Sequence, residues 1–147
     1  MSLLVDLVKR FEGYAKALPG GDCTTYLCAA GVLTIGYGTT GKDIVPGMRW
    51  TREQAESRLA ADLAKFRRGV LELSPVLAEE SEARQTAIIS FAYNCGLGAY
   101  RDSTLRKCVN REDWEGAQRQ IMRWNKAGGR VLRGLTLRRE AERDLLE

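Results

Sequence analysis

Apolar residues recur at helical spacing near the start of the chain. Four of them follow one another at intervals of three or four: Leu4, Leu7, Val8 and Phe11. That spacing puts them on one face, so the pattern predicts an amphipathic helix over residues 3–12. The helix should end where Gly13 follows Glu12, because glycine is the usual residue just past a helix C-terminus. Glu12 is therefore expected at the end of the first helix.

The pattern changes between Pro19 and Pro46, where glycine is frequent and threonine and tyrosine are common. Two short runs of β-prone residues lie within this segment, Thr24–Leu27 and Val32–Tyr37. Together they predict a small antiparallel sheet interrupted by glycines.

Helical patterns return after residue 50 and continue towards the C-terminus. Thr51–Gln54 has the form of a capping box, and apolar residues then continue at intervals of three or four, which predicts one long helix over about 51–72. Later segments predict four further helical stretches: one with Ala83 to Ala92 that ends at Gly96, one over Thr104–Val109 capped by Ser103, one over about 112–124, and a basic terminal helix after Gly129.

These elements define an α+β fold class that is predominantly helical. We expect one domain over residues 1–147, because the length and the 44% of hydrophobic residues suit a single globular unit. Within it we expect a small N-terminal lobe over about 1–50, a linking helix over about 51–72 and an all-helical C-terminal lobe over about 75–147.

The absence of histidine narrows the chemistry more than any residue that is present. It excludes Ser-His-Asp and Cys-His catalysis and histidine-ligated zinc, so acid or base work falls to Asp, Glu, Cys, Tyr or Lys. The net charge is +4, and residues 101–147 alone hold ten Arg and two Lys against eight acidic residues. A basic surface of this kind suits an anionic polymer such as nucleic acid or cell wall, or it is simply a solvated helical face.

The cysteines lack the paired spacing of a zinc ribbon and the density of a disulfide scaffold: Cys23, Cys28, Cys95 and Cys108. We therefore expect no metal and no cofactor, and we expect Cys95 and Cys108 to be small buried hydrophobic residues. The first ten residues are interrupted by Asp6 and have the pattern of neither a membrane span nor a signal peptide. Export would then use another route, or a leader that is missing.

Several motifs, taken in their order and separation, resemble one known family. The first is Phe11-Glu12-Gly13, and the second runs from Tyr26 to Gly38 as YLCAAGVLTIGYG. The second half adds FAYNCG over residues 91–96, STL over residues 103–105, the segment around Trp124 and GLTLRREAE over residues 134–142. Together they resemble the phage endolysin lysozymes of glycoside hydrolase family 24, related to T-even phage lysozyme and lambdoid endolysins. The resemblance covers nearly the whole chain and implies a lysozyme-like fold.

The same resemblance implies a catalytic set. The family uses a glutamate acid, a second residue that is often Asp and sometimes Cys, and a Thr six positions later, which map onto Glu12, Cys28 and Thr34. Glycoside cleavage needs a proton donor for the leaving oxygen and a group that holds or activates water on the other side of the sugar. Glu12 is then the general acid. A free thiol has a pKa of roughly 8.5, so we expect Cys28 to be mostly uncharged and to position water with the Thr34 hydroxyl. A covalent thioether route is the lesser alternative.

Two further hypotheses concern the loop before Cys28. About seven extra residues lie between Glu12 and Cys28 relative to the family pattern, so Asp22 stands closer to the usual distance and could supply the carboxylate. Cys28 remains preferred, because its step to Thr34 and the Tyr-Leu before it both match. A disulfide between Cys23 and Cys28 would remove Cys28 from the site.

Substrate contacts are expected at four positions: Tyr37, Asn94, Arg138 and Arg139. An asparagine amide can both donate to and accept from a sugar N-acetyl group. For the two arginines, an intramolecular pairing with Glu140 or Glu142 is an equal alternative.

The resemblance implies an endolysin that hydrolyses the β-1,4 bond between N-acetylmuramic acid and N-acetylglucosamine and so lyses the host cell. Three alternatives stay open: a lytic transglycosylase that gives anhydro products, a non-catalytic binder of wall glycans, and a basic nucleic-acid-binding module. The expected partner is the peptidoglycan glycan strand. We expect a monomer with no bound nucleic acid and no stable membrane insertion, released from the host cytoplasm to the periplasmic wall through a phage-made pore.

Overall fold

The computed structural model describes residues 2–28 and 30–147. Within these ranges the chain forms seven α-helices: α1 (Ser2–Glu12), α2 (Arg52–Leu73), α3 (Glu82–Cys95), α4 (Leu97–Arg101), α5 (Thr104–Asn110), α6 (Trp114–Ile121) and α7 (Arg133–Leu145). Its strands are β1 (Cys23–Thr24), β2 (Tyr26–Leu27), β3 (Leu33–Thr34), β4 (Arg49–Trp50), β5 (Lys126–Ala127) and β6 (Arg130–Val131). They pair antiparallel as β1 with β4, β2 with β3 and β5 with β6. The prediction of a predominantly helical α+β fold is confirmed.

The chain divides into two compact units. One unit is Val5–Asp62, and the other is Leu63–Glu147 together with residues 2–4. The division falls inside α2, which contributes its first residues to one unit and the remainder to the other.

Helix capping explains where several helices begin. The predicted capping box at the start of α2 forms, with the Thr51 N–H donating to Gln54 Oε1 at 2.8 Å and the Gln54 N–H donating to Thr51 Oγ1 at 3.1 Å. Ser103 caps α5 as predicted, since its hydroxyl accepts from the Arg106 N–H. The helix expected over 112–124 is shorter, because Asp113 accepts from the Gly116 N–H and so starts α6 at Trp114.

The predicted sheet is present but divided into two-residue pieces. Tyr26 pairs with Thr34 and Leu27 with Leu33, whereas β1 pairs with the distant β4. Glycines at positive φ, such as Gly31 at +76° and Gly36 at +64°, turn the backbone out of the extended conformation and stop longer strands. The unit Val5–Asp62 is held by a small apolar core that includes the following residues: Leu7, Val8, Cys23, Ile35, Ile44, Ala55 and Leu59.

Three elements of the second unit were not predicted. They are a 3-10 turn over Pro75–Glu79, the short helix α4 and the hairpin of β5 and β6. Short elements carry too few residues for a periodic pattern. A buried hydrogen bond of 2.7 Å between the hydroxyls of Ser74 and Tyr100 holds α4 to the end of α2. Among the described residues, no helix combines the length and apolar character needed to cross a membrane.

Candidate active site

Glu12 is the last residue of α1, as predicted, and its side chain is half-buried against the turn that contains Gly38. A Cβ atom placed on Gly38 would lie 2.7 Å from Glu12 Cδ and 3.0 Å from Glu12 Cγ. The turn is closed by paired backbone hydrogen bonds of 2.9 Å between Ile35 and Thr39. The backbone at Gly38 therefore forms one wall of the position that the Glu12 carboxylate occupies.

Cys28 and Thr34 lie together at the β2–β3 hairpin. Cys28 directly follows β2, is partly exposed, and donates its N–H to the Val32 carbonyl at 3.0 Å. Thr34 ends β3, is 3% exposed, and its hydroxyl lies within hydrogen-bonding reach of the thiol. The Thr34 hydroxyl also donates to the Val32 carbonyl at 2.8 Å. Because a hydroxyl has a single proton, it bonds the carbonyl while the thiol is neutral and can turn to the sulfur when the thiol ionises.

The surroundings of Cys28 change its acidity. Burial acts to raise the pKa of the thiol, but hydrogen bonds from the Val32 and Ala30 backbone and from the Thr34 hydroxyl outweigh it, so the pKa lies below its ordinary value. The Cys28 thiol is thus more acidic than the ordinary cysteine from which the sequence analysis reasoned. The pKa of Cys28 is lowered chiefly by backbone N–H groups in a turn, and the positions of such groups cannot be inferred from the residue types.

Tyr26 is a member of this cluster that the sequence prediction missed. Burial raises the pKa of its phenol, and the negative charges of Glu12 and Cys28 raise it further. The phenol is thus close enough to sense both groups, and it keeps its proton at neutral pH. Its place in the cluster follows from the hairpin register, in which Tyr26 lies directly opposite Thr34.

The structure bears on both hypotheses about the loop before Cys28, which are a catalytic Asp22 and a disulfide between Cys23 and Cys28. The Asp22 carboxylate accepts from Arg49 Nε at 3.0 Å, so it is engaged in a partly exposed ion pair beside β1. Cys23 is completely buried, while Cys28 is partly exposed, and both thiols are free. Cys28 is consequently available to the site.

Tyr37 was expected to bind sugar, but its position indicates a packing role. It is only 4% exposed, and its hydroxyl accepts from Arg52 Nη1 at 3.1 Å and donates to Glu56 Oε1 at 3.4 Å. Its ring packs against Tyr14 with centroids 5.0 Å apart. A side chain so enclosed has little surface for a sugar.

The remaining expected contacts lie in the unit Leu63–Glu147. Arg138 and Arg139 are 3% and 0% exposed, and both pair with the fully buried Glu142, at 3.4 Å and 2.8 Å respectively. The intramolecular alternative is therefore the one observed. Arg139 also donates from Nη2 to Asn94 Oδ1 at 2.8 Å. Asn94 is partly exposed, and this bond fixes which end of its amide faces inward.

In the described ranges, no three or more Cys, Asp or Glu side chains come together in a group that could hold a metal ion. The chemistry of the cluster is that of one carboxyl group, one acidified thiol and two hydroxyl groups.

The chain is similar to known proteins over most of its length. A family model described as phage lysozyme matches residues 9–142. A SAR-endolysin of Bacteriophage PS119 is 41% identical over 134 residues, which cover 90% of this chain and 78% of the relative. An endolysin of Bacillus phage B103 is 39% identical over 142 residues, 96% of this chain, which spans 51% of that longer protein. Among solved structures, the endolysin from Escherichia coli O157:H7 phage FAHEc1 has a TM-score of 0.79 and 33% identity, covering 97% of this chain and 89% of its own.

Proposed function

Because the chain belongs to the phage lysozyme family of peptidoglycan-degrading enzymes, we propose that it hydrolyses the β-1,4 bond between N-acetylmuramic acid and N-acetylglucosamine. The observation that supports this best is that the partly exposed Cys28 thiol lies beside the buried Thr34 hydroxyl at the β2–β3 hairpin, in the same compact unit as Glu12 at the end of α1. Glycoside hydrolysis requires two such groups with different roles.

Glu12 is the proposed general acid. It protonates the glycosidic oxygen as the bond to the anomeric carbon breaks, so that the leaving sugar departs as a neutral alcohol. Contact with the backbone at Gly38 limits the conformations open to its carboxyl group. This restraint holds the proton donor in one place, which matters because misplacing a catalytic group by about 1 Å can cost about 100-fold in rate.

Cys28 and Thr34 are the proposed water-positioning pair. The Thr34 hydroxyl and the Cys28 sulfur can each hold a water molecule, and the hydroxyl is itself fixed by the Val32 carbonyl at 2.8 Å. Since the pKa of Cys28 lies below its ordinary value, more thiolate is present at neutral pH than in a free cysteine. Together the sulfur and the hydroxyl hold the water so that its oxygen bonds to the anomeric carbon as the bond to the leaving sugar breaks, and the proton that this water loses passes to solvent.

Asn94 is the proposed contact for an N-acetyl group of the substrate. With Oδ1 bonded to Arg139 at 2.8 Å, its Nδ2 remains as a donor to a carbonyl oxygen. We further propose that the protein acts as a monomer on the periplasmic face of the wall, reached through a phage-made pore, and that it needs no cofactor.

The test is digestion of purified peptidoglycan in oxygen-18-labelled water, with mass spectrometry of the released muropeptides. Hydrolysis places one labelled oxygen on each new reducing end, whereas a transglycosylase gives unlabelled anhydro ends. We expect labelled N-acetylmuramic acid ends from the wild type. Labelled N-acetylglucosamine ends would show that the other glycosidic bond is cut.

Variants assign the roles. Glu12→Gln should lower the rate by about 10²- to 10⁴-fold, the usual contribution of a general acid, while the exposed Glu53→Gln at the start of α2 should not. Cys28→Ser should retain part of the activity, because a hydroxyl can still hold water. Full activity in Glu12→Gln, or anhydro products, would overturn the proposal.

A further inference from the structure

The segment between Glu115 and Glu140 contains no acidic residue but seven basic ones. Two of these, Arg138 and Arg139, are used in the buried pairing with Glu142. Four others surround the β5–β6 hairpin and are exposed: Arg123, Lys126, Arg130 and Arg133. We call these four residues the hairpin cations. Their position lies outside the proposed catalytic cluster of Glu12, Cys28 and Thr34.

In the part of the chain that the structure describes, the hairpin cations have no side-chain partner. Across residues 2–28 and 30–147, none of the four makes an ion pair or a side-chain hydrogen bond, unlike Arg49, Arg58 and Arg84. Their like charges repel one another, and no acidic residue lies between them in the sequence to offset this repulsion. The structure therefore contains a local excess of positive charge that does not stabilise the fold.

The position of Arg133 is a further case of positive charge that the fold does not compensate. It is the first residue of α7, whose N-cap residue, Leu132, provides no side-chain hydrogen bond. A helix N-terminus carries partial positive charge, so a cation there is unfavourable, and acidic residues are preferred. The chain nonetheless puts an arginine at this position. An external anion would compensate this arrangement.

Exposed apolar side chains accompany these cations. Among the described residues of the unit Leu63–Glu147, the large apolar side chains that are exposed are Val131 at 59% and Leu137 at 43%. Val131 lies directly opposite Lys126 in the hairpin, so the two side chains share a face. Leu137 is four residues after Arg133, on the same face of α7. Both apolar groups thus stand beside cations.

The hairpin itself is well suited to present this surface. Gly128 and Gly129, with φ of +58° and +78°, form the two-residue turn. Positive φ at both central residues is the geometry of a tight hairpin turn. Three of the four side chains of β5 and β6 are exposed, those of Lys126, Arg130 and Val131.

We propose that the hairpin cations, with Val131 and Leu137, form a docking surface for a lipid bilayer that contains anionic phospholipids. Basic residues bind the phosphate headgroups, and the apolar side chains enter the boundary between headgroups and acyl chains. A soluble polyanion would use the cations but would gain nothing from Val131 and Leu137. The binding is peripheral, and it is independent of the proposed hydrolysis because it can be measured without peptidoglycan.

The test is sedimentation of the full chain with vesicles of phosphatidylglycerol and phosphatidylcholine, compared with pure phosphatidylcholine. Each cation near an anionic bilayer strengthens binding about fivefold, so Lys126→Gln/Arg130→Gln should weaken it about 30-fold. The matched control is Lys65→Gln/Arg68→Gln, which removes two exposed charges from α2 and should weaken binding much less. Circular dichroism verifies that each variant is folded.

Val131→Ser separates a bilayer from a soluble polyanion. We expect weaker vesicle binding, about fourfold for each methylene-sized group withdrawn from lipid, and unchanged binding to inorganic polyphosphate. Glu12→Gln should bind vesicles like the wild type. Three results would overturn the proposal: equal binding of the wild type to neutral and anionic vesicles, equal losses in the two double variants, or vesicle binding that Val131→Ser leaves unchanged.

Discussion

Replacing Gly38 by alanine should inactivate the enzyme by displacing Glu12 while leaving the fold intact. The added Cβ would lie 2.7 Å from Glu12 Cδ and 3.0 Å from Cγ. Two carbon atoms normally approach to about 3.5–4.0 Å, so the carboxyl group must move by about 1 Å. A displacement of that size in a catalytic group lowers the rate by about 100-fold, and we expect kcat/KM to fall by that factor.

Backbone strain must be separated from this contact, because Gly38 has a φ of +77°. Gly47 provides the matched control: its φ is +81°, but a Cβ there would meet nothing within 4 Å. Both alanine variants should lose about 1–2 kcal/mol of unfolding free energy, the cost of a left-handed conformation for a residue with a side chain. Only Gly38→Ala should lose activity.

The assay is release of reducing ends from purified peptidoglycan, together with urea unfolding of each variant. Wild-type activity in both variants would show that Glu12 is not held by the Gly38 contact. Equal loss of activity would show that strain in this unit, rather than displacement of the carboxyl group, affects the rate. A folded but inactive Gly38→Ala beside an active Gly47→Ala is the outcome we expect.

Three further predictions concern the site and its supports. Alkylation of Cys28 by iodoacetamide should rise with pH around a midpoint below that of free cysteine, because its lowered pKa populates the thiolate at lower pH. Thr34→Val should move that midpoint upward, and an unchanged midpoint would remove the hydroxyl from this role. Arg139→Met should lower the free energy of unfolding by about 3 kcal/mol in urea titration, since it removes the closer of the two arginines that pair with the buried Glu142 carboxylate and leaves only Arg138 and the Ser90 hydroxyl as partners. Asp22→Asn is the matched case of a partly exposed pair and should cost less than about 1 kcal/mol, with unchanged activity. Loss of activity in Asp22→Asn would instead restore Asp22 as a catalytic candidate.

Helix positions were predictable because their causes are local. The capping box at Thr51 and the cap at Ser103 act within three residues, so they can be recognised without the fold. The same holds for Glu12, whose place at a helix end follows from Gly13 and the apolar spacing before it. The strands were predicted less well, since β1 finds its partner β4 more than twenty residues away in the chain.

The site was predictable in its motif residues but not in its chemistry. Sequence placed Glu12, Cys28 and Thr34 as candidates, yet it assigned the thiol an ordinary pKa and overlooked Tyr26. The acidity of Cys28 depends on backbone N–H groups and on a hydroxyl across the hairpin. Such effects follow from three-dimensional distances, which residue spacing alone does not give.

By itself, the sequence determined the helical class, the family resemblance and the residues of the candidate catalytic set, because periodicity, caps and motif spacing are properties of neighbouring residues. Tertiary structure alone decided the burial of Tyr37 and the pairing of Arg139, which reaches Cys95 and Asn94 from 44 and 45 residues away. The physical reason is that an arginine or tyrosine suits either a sugar surface or a buried network. Only the surrounding atoms, brought together by the fold, select between the two.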